Sequence, residues 1–355
     1  MVTTETVKHR FPYKWNLSDG YPEGNGLKVF GTFICGGGST MGYKLAGFDH
    51  IGGVEIDPKV ADVYKANHKP KHLYVEDIRE FVKRTEFPEE LYKLDILDGS
   101  PPCSSFSMAG NREKDWGKEK VFREGQALQT LDDLFFDYIA LAKKLQPKVV
   151  IAENVKGLIQ GNAKSYVRKI KAGFEDAGYK VQLFLLNAAS MGVPQKRERV
   201  FFICQRNDLN LPKLEMRFNE KAITFGELDE GFLNKECFVV RKAHKPYMKI
   251  CKEGKSISTV HPKGNGFNTM KQGKDLVSPT VVADSGGGIM IHYNGNRYVS
   301  DDEYKQIGSY PMDYNFLKNK PKYLIGMSVP PVMTAQVSNQ VYLQWLSKLT
   351  DKQQT

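Results

Sequence analysis

No apolar run in these 355 residues approaches the ~18 needed for a membrane-spanning helix. Met1-Val2-Thr3-Thr4-Glu5 does not read as a basic, then apolar, leader, so secretion is not expected and a cytoplasmic protein is. Cysteine is scarce. The five cysteines, Cys35, Cys103, Cys204, Cys237 and Cys251, have spacings that fit neither a zinc site nor a disulfide framework. No metal is therefore expected. There is no internal repeat, and no Gly-x-Gly-x-x-Gly that would mark a dinucleotide fold. Acid is nearly missing from residues 241–274, where nine basic residues face Glu253 alone, a net +8 within a chain of +10. Those cations are Arg241, Lys242, Lys245, Lys249, Lys252, Lys255, Lys263, Lys271 and Lys274.

A charge run is often only a solvated face. Here it is interleaved with His244, Tyr247, His261, Asn265, Phe267 and Asn268, which offer base-edge donors and stacking surfaces among phosphate-neutralising charges. The apolar content of 41% suits a soluble globular chain with a sizeable core.

The first ~200 residues alternate strand-like and helix-like patterns, which predicts a parallel sheet with crossover helices. Strands are expected at 28–35, 50–57, 73–76, 94–97, 149–152, 181–186 and 200–204. Helices are expected after Gly36-Gly37-Gly38, from Pro58, at 163–177, and along a stripe of Leu131, Leu134, Phe135, Tyr138, Ile139, Ala142 and Leu145. Residues 104–124 read as a long loop of the kind that often covers an active site. The expected domains are a catalytic and cofactor-binding domain over 1–206, completed by 322–355, and an irregular target-recognition domain over 207–294. Residues 295–321 lead back to the first.

Two strand-like runs carry chemistry just beyond their C-terminal ends. Leu94-Asp95-Ile96-Leu97 leads to Gly99-Ser100-Pro101-Pro102-Cys103, and Val149-Val150-Ile151-Ala152 leads to Glu153-Asn154-Val155. In an open parallel sheet such ends share one rim, where ligands bind. A thiol and a carboxylic acid there can attack a heterocycle and manage the proton that the attack demands. Two prolines stiffen the backbone delivering the sulfur. Taken alone, Pro-Pro-Cys could equally be a turn ending in a buried cysteine. Gly36-Gly37-Gly38, with Glu55 about 20 residues on, has the shape of a nucleotide-binding unit. A phosphate-free nucleoside such as S-adenosyl-L-methionine suits it better than a dinucleotide. Asp77 lies at the next strand end, where a capping or solvated acid is the plainer alternative.

These residues resemble the motifs of the cytosine-5 DNA methyltransferases of bacterial or phage type. Phe33-Ile34-Cys35-Gly36-Gly37-Gly38 is similar to the cofactor motif, and Gly99–Cys103 followed by Ser104-Ser105-Phe106-Ser107 to the nucleophile motif. Glu153-Asn154-Val155 and Gln195-Lys196-Arg197-Glu198-Arg199 are similar to the base-contacting motif and to Gln-x-Arg-x-Arg. Ser278-Pro279-Thr280 and Gly286-Gly287-Gly288 resemble the end of the target-recognition domain. Gly326-Met327-Ser328-Val329 resembles a closing Gly-Asn-Ser-Val. There are three departures. Gly31 stands for the acid that usually starts the first motif's strand, with Cys35 for one of its glycines. Met327 replaces the Asn, and Asp302-Glu303 appears for Arg-Glu.

The resemblance implies a Rossmann-like α/β methyltransferase domain that methylates C5 of a flipped-out cytosine in duplex DNA from S-adenosyl-L-methionine. It implies Cys103 as the nucleophile adding to C6, Glu153 at N3, and Arg199 with Arg197 holding base and adduct. It carries cofactor contacts to Phe33, Gly37, Gly38, Glu55, Ile56, Asp77, Ile78, Pro102, Leu134 and Ser328. DNA contacts fall on Ser107, Gln195, Arg241, Lys242, Lys245, Lys249, Lys252, Thr280 and Gly287. The expected molecule is a nucleoid-associated monomer, with a separately encoded restriction endonuclease as a possible companion. Rival readings are the same chemistry on tRNA, an inactive DNA-binding protein, and a nicotinamide oxidoreductase resting on the glycine run alone.

Overall fold

The computed structural model describes residues 9–102, 134–160, 164–283 and 288–352. The expected loop at 104–124, Cys103, Ser107, Leu131, Gly286 and Gly287 lie outside them. The chain forms two compact units, one of residues 22–186, 198–216 and 337–355, the other of 1–21, 187–197 and 217–336.

The first of these units is built on a seven-stranded sheet. Its strands are β1 (Lys28–Thr32), β2 (Asp49–Glu55), β3 (His72–Val75), β4 (Ile96–Gly99), β5 (Val149–Val155), β6 (Tyr179–Asn187) and β7 (Glu198–Arg206), in the order β3-β2-β1-β4-β5-β7-β6. Strands β1 to β5 pair in parallel. They are joined through α1 (Gly38–Leu45), α2 (Pro58–His68), α3 (Ile78–Lys83) and α4 (Leu134–Leu145). Another helix, α5 (Lys164–Asp176), leads to β6.

Local chemistry sets the helix starts. Asp57 caps α2 through Lys59 N–H ahead of Pro58, and Asp77 caps α3 through Arg79 N–H. Tyr166, Ile170 and Phe174 recur every four residues and bury the inner face of α5. Phe135 of α4 meets Phe174 and Phe202 edge-on at 6.2 and 5.5 Å.

The sheet is mixed, which corrects the wholly parallel expectation: β7 runs antiparallel to β5. Only residues 188–197 link β6 to β7, too short a stretch to hold the crossover helix that a parallel return requires.

The second unit contains turns, short 3₁₀ segments and isolated bridges rather than named strands among its described residues. Met248, Cys251, Ile257, Ile291 and Tyr298 form a small core within it. Helix α6 (Asp301–Ile307) opens with a capping box in which Ser300 and Glu303 exchange bonds. Glu303 also holds Arg297 at 2.7 Å, both side chains 2% exposed. Helix α7 (Pro321–Met327) follows, and α8 (Pro331–Val341) is shared between the units. The Asp302-Glu303 departure thus keeps the acid in a buried pair, while Asp302 accepts a bond from Phe232 N–H. The units cut the chain differently from the expected domains: residues 1–21, 187–197 and 295–336 group with the second unit, and 207–216 with the first.

Candidate active site

The parallel strands bring Thr32, Glu55, Val75, Gly99 and Val155 to their C-terminal ends along one side of the sheet. After β1 the backbone turns sharply: Phe33, Cys35 and Gly37 have φ of 54°, 47° and 74°. Two of these are side-chain-bearing residues in the left-handed region, a cost that persists where surroundings over-determine it. Glu55 supplies part of that determination. Its buried carboxylate accepts from Cys35 N–H and Asp57 N–H, both at 2.9 Å, and from Ile56 N–H. Burial raises its pKa, and these bonds oppose the rise. At Gly37 any Cβ would sit 2.2 Å from His68 Nε2, so glycine there answers to packing as well as to φ.

Gly38 is buried as the first residue of α1. Ile78 and Leu134 are buried in the main core, Phe33 packs against it half-buried, and Ile56 is half-buried. Asp77 is the cap of α3 and is paired to Arg79 at 2.6 Å. Burial alone would raise its pKa, but the Arg79 bonds and charge outweigh it and the net shift is downward.

Glu153 and Arg199 meet because of strand register. In the antiparallel β5–β7 ladder Arg199 lies opposite Val155, which makes Glu153 its diagonal neighbour on the same face. Arg199 Nε stands 2.8 Å from Glu153 Oε1, with side chains 13% and 11% exposed. Burial lowers the Arg199 pKa, and Glu153 partly restores it. Asn154, between them in sequence, is a residue that the motif reading left without a task. Its Nδ2 donates to the Pro101 carbonyl at 3.0 Å and its Oδ1 accepts from Val155 N–H. It therefore braces the turn that precedes Cys103; the buried amide in Glu-Asn-Val was the available signal. Pro102 is half-buried.

The three side chains that the motif fixes in Gln195-Lys196-Arg197-Glu198-Arg199, those of Gln195, Arg197 and Arg199, do not share one job. Arg197 is 2% exposed, and its guanidinium donates to the carbonyls of Val281, Gly326 and Ser328 at 3.1, 3.0 and 2.9 Å. Gln195, expected at DNA, is 1% exposed: its amide donates to Ile307 O and accepts from Val281 N–H. Both are scaffold residues of the second unit. Both placements have one physical reason: a buried carbonyl without a donor is costly, and these side chains supply the donors. Thr280 is tied by its hydroxyl to Lys196 O at 2.6 Å. Ser328 accepts from Tyr310 OH at 2.7 Å. Gly326 admits no side chain, since a Cβ would lie 2.7 Å from Ala283 N. Met327, the neighbour that departs from the motif, is 43% exposed.

Arg241, Lys242, Lys245, Lys249 and Lys252 are all exposed. Lys271 is not; it is buried and donates to Lys249 O at 3.4 Å. Two of the interleaved groups are also structural: His244 bonds Tyr298 OH at 2.8 Å, and the Tyr247 and His261 rings pack at 4.8 Å. Phe267 stays 75% exposed among the cations. No cluster of metal-ligating side chains and no helix long and apolar enough to cross a membrane occurs among the described residues.

Solved structures with this architecture include a putative DNA modification methyltransferase encoded within an E. coli prophage, with TM-score 0.67 and 18% identity over 90% of this chain and 99% of that one. A DNMT2 mutant from Spodoptera frugiperda gives 0.62 and 18% over 89% and 99%. The fold is thus that of the Rossmann-like methyltransferases. The model of the C-5 cytosine-specific DNA methylases matches residues 27–342, and the chain belongs to that family. Among its relatives, the Type II methyltransferase M.FnuDI of Fusobacterium nucleatum is 38% identical over 54% of this chain and 51% of its own. M.NgoPII of Neisseria gonorrhoeae is 38% identical over 53% and 50%. These two matches thus span about half the relatives' length. M1.HphI of Haemophilus parahaemolyticus is 27% identical over 89% and 86%.

Proposed function

We propose that this protein methylates C5 of a flipped-out cytosine in a specific duplex DNA sequence, using S-adenosyl-L-methionine. The observation that carries the reading is the buried Glu153–Arg199 pair beside Asn154, whose amide holds the turn leading to Cys103. Family membership supports the chemistry, and the Type II names of the relatives support a role beside a separately encoded restriction endonuclease.

The rim after β1, β2 and β3 suits the cofactor. A tight left-handed turn, the buried Glu55 carboxylate and the capping Asp77 supply acceptors for hydroxyl and amino groups, and no phosphate-binding group is needed. When bound, S-adenosyl-L-methionine supplies the methyl group on a sulfonium. The chain's own residues do the rest. The Cys103 thiolate adds to C6 of the base. Glu153 donates a hydrogen bond or proton at N3, so that negative charge does not build on the ring, and Arg199 holds Glu153 in place. Once C5 carries the methyl group, a base such as water removes its proton, and the electron pair left behind expels the Cys103 thiolate from C6. None of this is possible in a stacked duplex, so the cytosine must be flipped out at a cost of a few kcal/mol. Contacts from the exposed cations of 241–252 to phosphates offset that cost.

The test is covalent trapping. DNA containing 5-fluorocytosine should hold the wild-type protein in a cofactor-dependent adduct stable to denaturing gels, because no proton can leave C5. Cys103→Ser should form none while still binding DNA. No adduct with the wild type would remove the covalent route. Bisulfite sequencing of DNA from cells expressing the protein should then reveal the sequence methylated.

A further inference from the structure

Asp98, in β4, is an acid for which the mechanism above has no use. It is 5% exposed and lies five residues before Cys103. Both its main chain and its side chain reach toward the turn after β1. The Thr32 hydroxyl at the end of β1 donates to Asp98 O at 3.2 Å. Tyr43 OH of α1 donates to Oδ1 at 3.0 Å, and the Ser39 hydroxyl of the same helix and Gly99 N–H also bond the carboxylate. The next residue admits no side chain, because a Cβ on Gly99 would lie 2.5 Å from Thr32 Oγ1 and 2.6 Å from the Tyr138 ring. Asp98 pairs with Ile151 across the ladder, so Glu153 is the following residue of β5 on the same face.

We propose that Asp98, in its ionised form, is a positioning residue for methyl transfer. It would fix the end of β4, which runs into Cys103, against the helix that starts at the turn after β1. This inference rests on the methyltransferase reading above. A carboxylate can accept from Ser39, Tyr43 and Gly99 together. The neutral acid turns one oxygen into a donor, so that the Ser39 or Tyr43 hydroxyl must turn round to accept and the arrangement that holds the end of β4 changes.

Burial first, and then the charge of Glu153, push the carboxyl up to about 7, against the three hydrogen bonds that lower it. The other titratable groups near it are Tyr43 on α1, Tyr64 on α2 and Tyr138 on α4, all shifted upward chiefly by burial and so neutral. His50, on β2 against Tyr64, is kept neutral chiefly by burial. Protonation of Asp98 near neutrality is therefore the event to follow, and methyl transfer should weaken as pH falls through it.

The experiment is single-turnover methyl transfer to duplex DNA across about pH 5.5 to 9, with cofactor and DNA saturating. The wild type should show an inflection near neutrality, with the rate down about tenfold one unit below it. Asp98→Asn should lose that inflection and run near the wild type's acid-side rate. Any inflection from the Cys103 thiol should remain in Asp98→Asn, which separates the two groups. Tyr43→Phe removes a bond that lowers the Asp98 pKa, so it should move the inflection to higher pH; a merely structural role would not. Circular dichroism checks that each variant is folded. An inflection unchanged in both variants, or none in the wild type, overturns the proposal. A wild type that transfers no methyl at any pH, yet binds cofactor, overturns the functional reading instead, and this inference falls with it.

Discussion

At the scale of single residues, Met327 is the sharpest departure from the family pattern, and its surroundings predict how much it matters. Its side chain is 43% exposed at the end of α7, so little packing depends on it. A thioether is adaptable and offers no strong hydrogen bond, so it can fill space beside a ligand without directing it. Met327→Asn should therefore keep methyl transfer within about tenfold, a barrier change of about 1.4 kcal/mol. Mass spectrometry of nucleosides from the modified DNA supplies the chemical control. A +14 Da cytosine, the mass of one methylene, should dominate with either residue; a heavier product would overturn the choice of cofactor. Glu153 illustrates what residue-level reading could reach. Its place just beyond an apolar run announced a rim acid, but its partner Arg199 lies 46 positions away and is brought in only by strand register.

At the scale of elements, the parallel half of the sheet was legible because its strand runs are largely apolar and a start such as Asp57-Pro58 is local to its helix. Helix α3 behind Asp77 was not read, because six residues are too few to show a helical stripe. The antiparallel β7 was not read, because residues 188–197 look like any loop unless their length is weighed against the crossover they would need to hold. The same segment disguised Arg197. Alternation along Gln195-Lys196-Arg197-Glu198-Arg199 suggests one face and one role, yet the chain passes from one compact unit to the other between Arg197 and Glu198. Arg197 serves three buried carbonyls, and a lysine has no planar fork with which to reach them. Arg197→Lys should accordingly cost about 2–4 kcal/mol of stability, at about 1–3 kcal/mol for each group left unpaired. Urea denaturation would measure it. A variant of unchanged stability but much slower methyl transfer would instead return Arg197 to the base.

At the scale of the whole molecule, net charge is the property most open to direct measurement. The excess of +10 is concentrated in the second unit, where most of the expected cations are exposed and Lys271 is not. Sequence composition could register the excess. It could not separate Lys271, whose ammonium caps a carbonyl, from Lys249 and Lys252, whose chains reach water. If the exposed set neutralises DNA phosphates, each contact releases condensed counterions and steepens the fall of log K with log salt. Lys249→Gln with Lys252→Gln should then weaken binding to all duplexes alike and reduce the salt slope by about 2, one unit for each contact. Cofactor affinity should not move, since neither lysine belongs to the unit that carries the β1 turn, Glu55 and Asp77. Fluorescence anisotropy across a salt series, on cognate and unrelated duplexes, makes the measurement. A slope that survives this pair and a second pair, Arg241→Gln with Lys245→Gln, would assign the cluster to an ordinary solvated face, and duplex binding would have to be sought elsewhere on the protein.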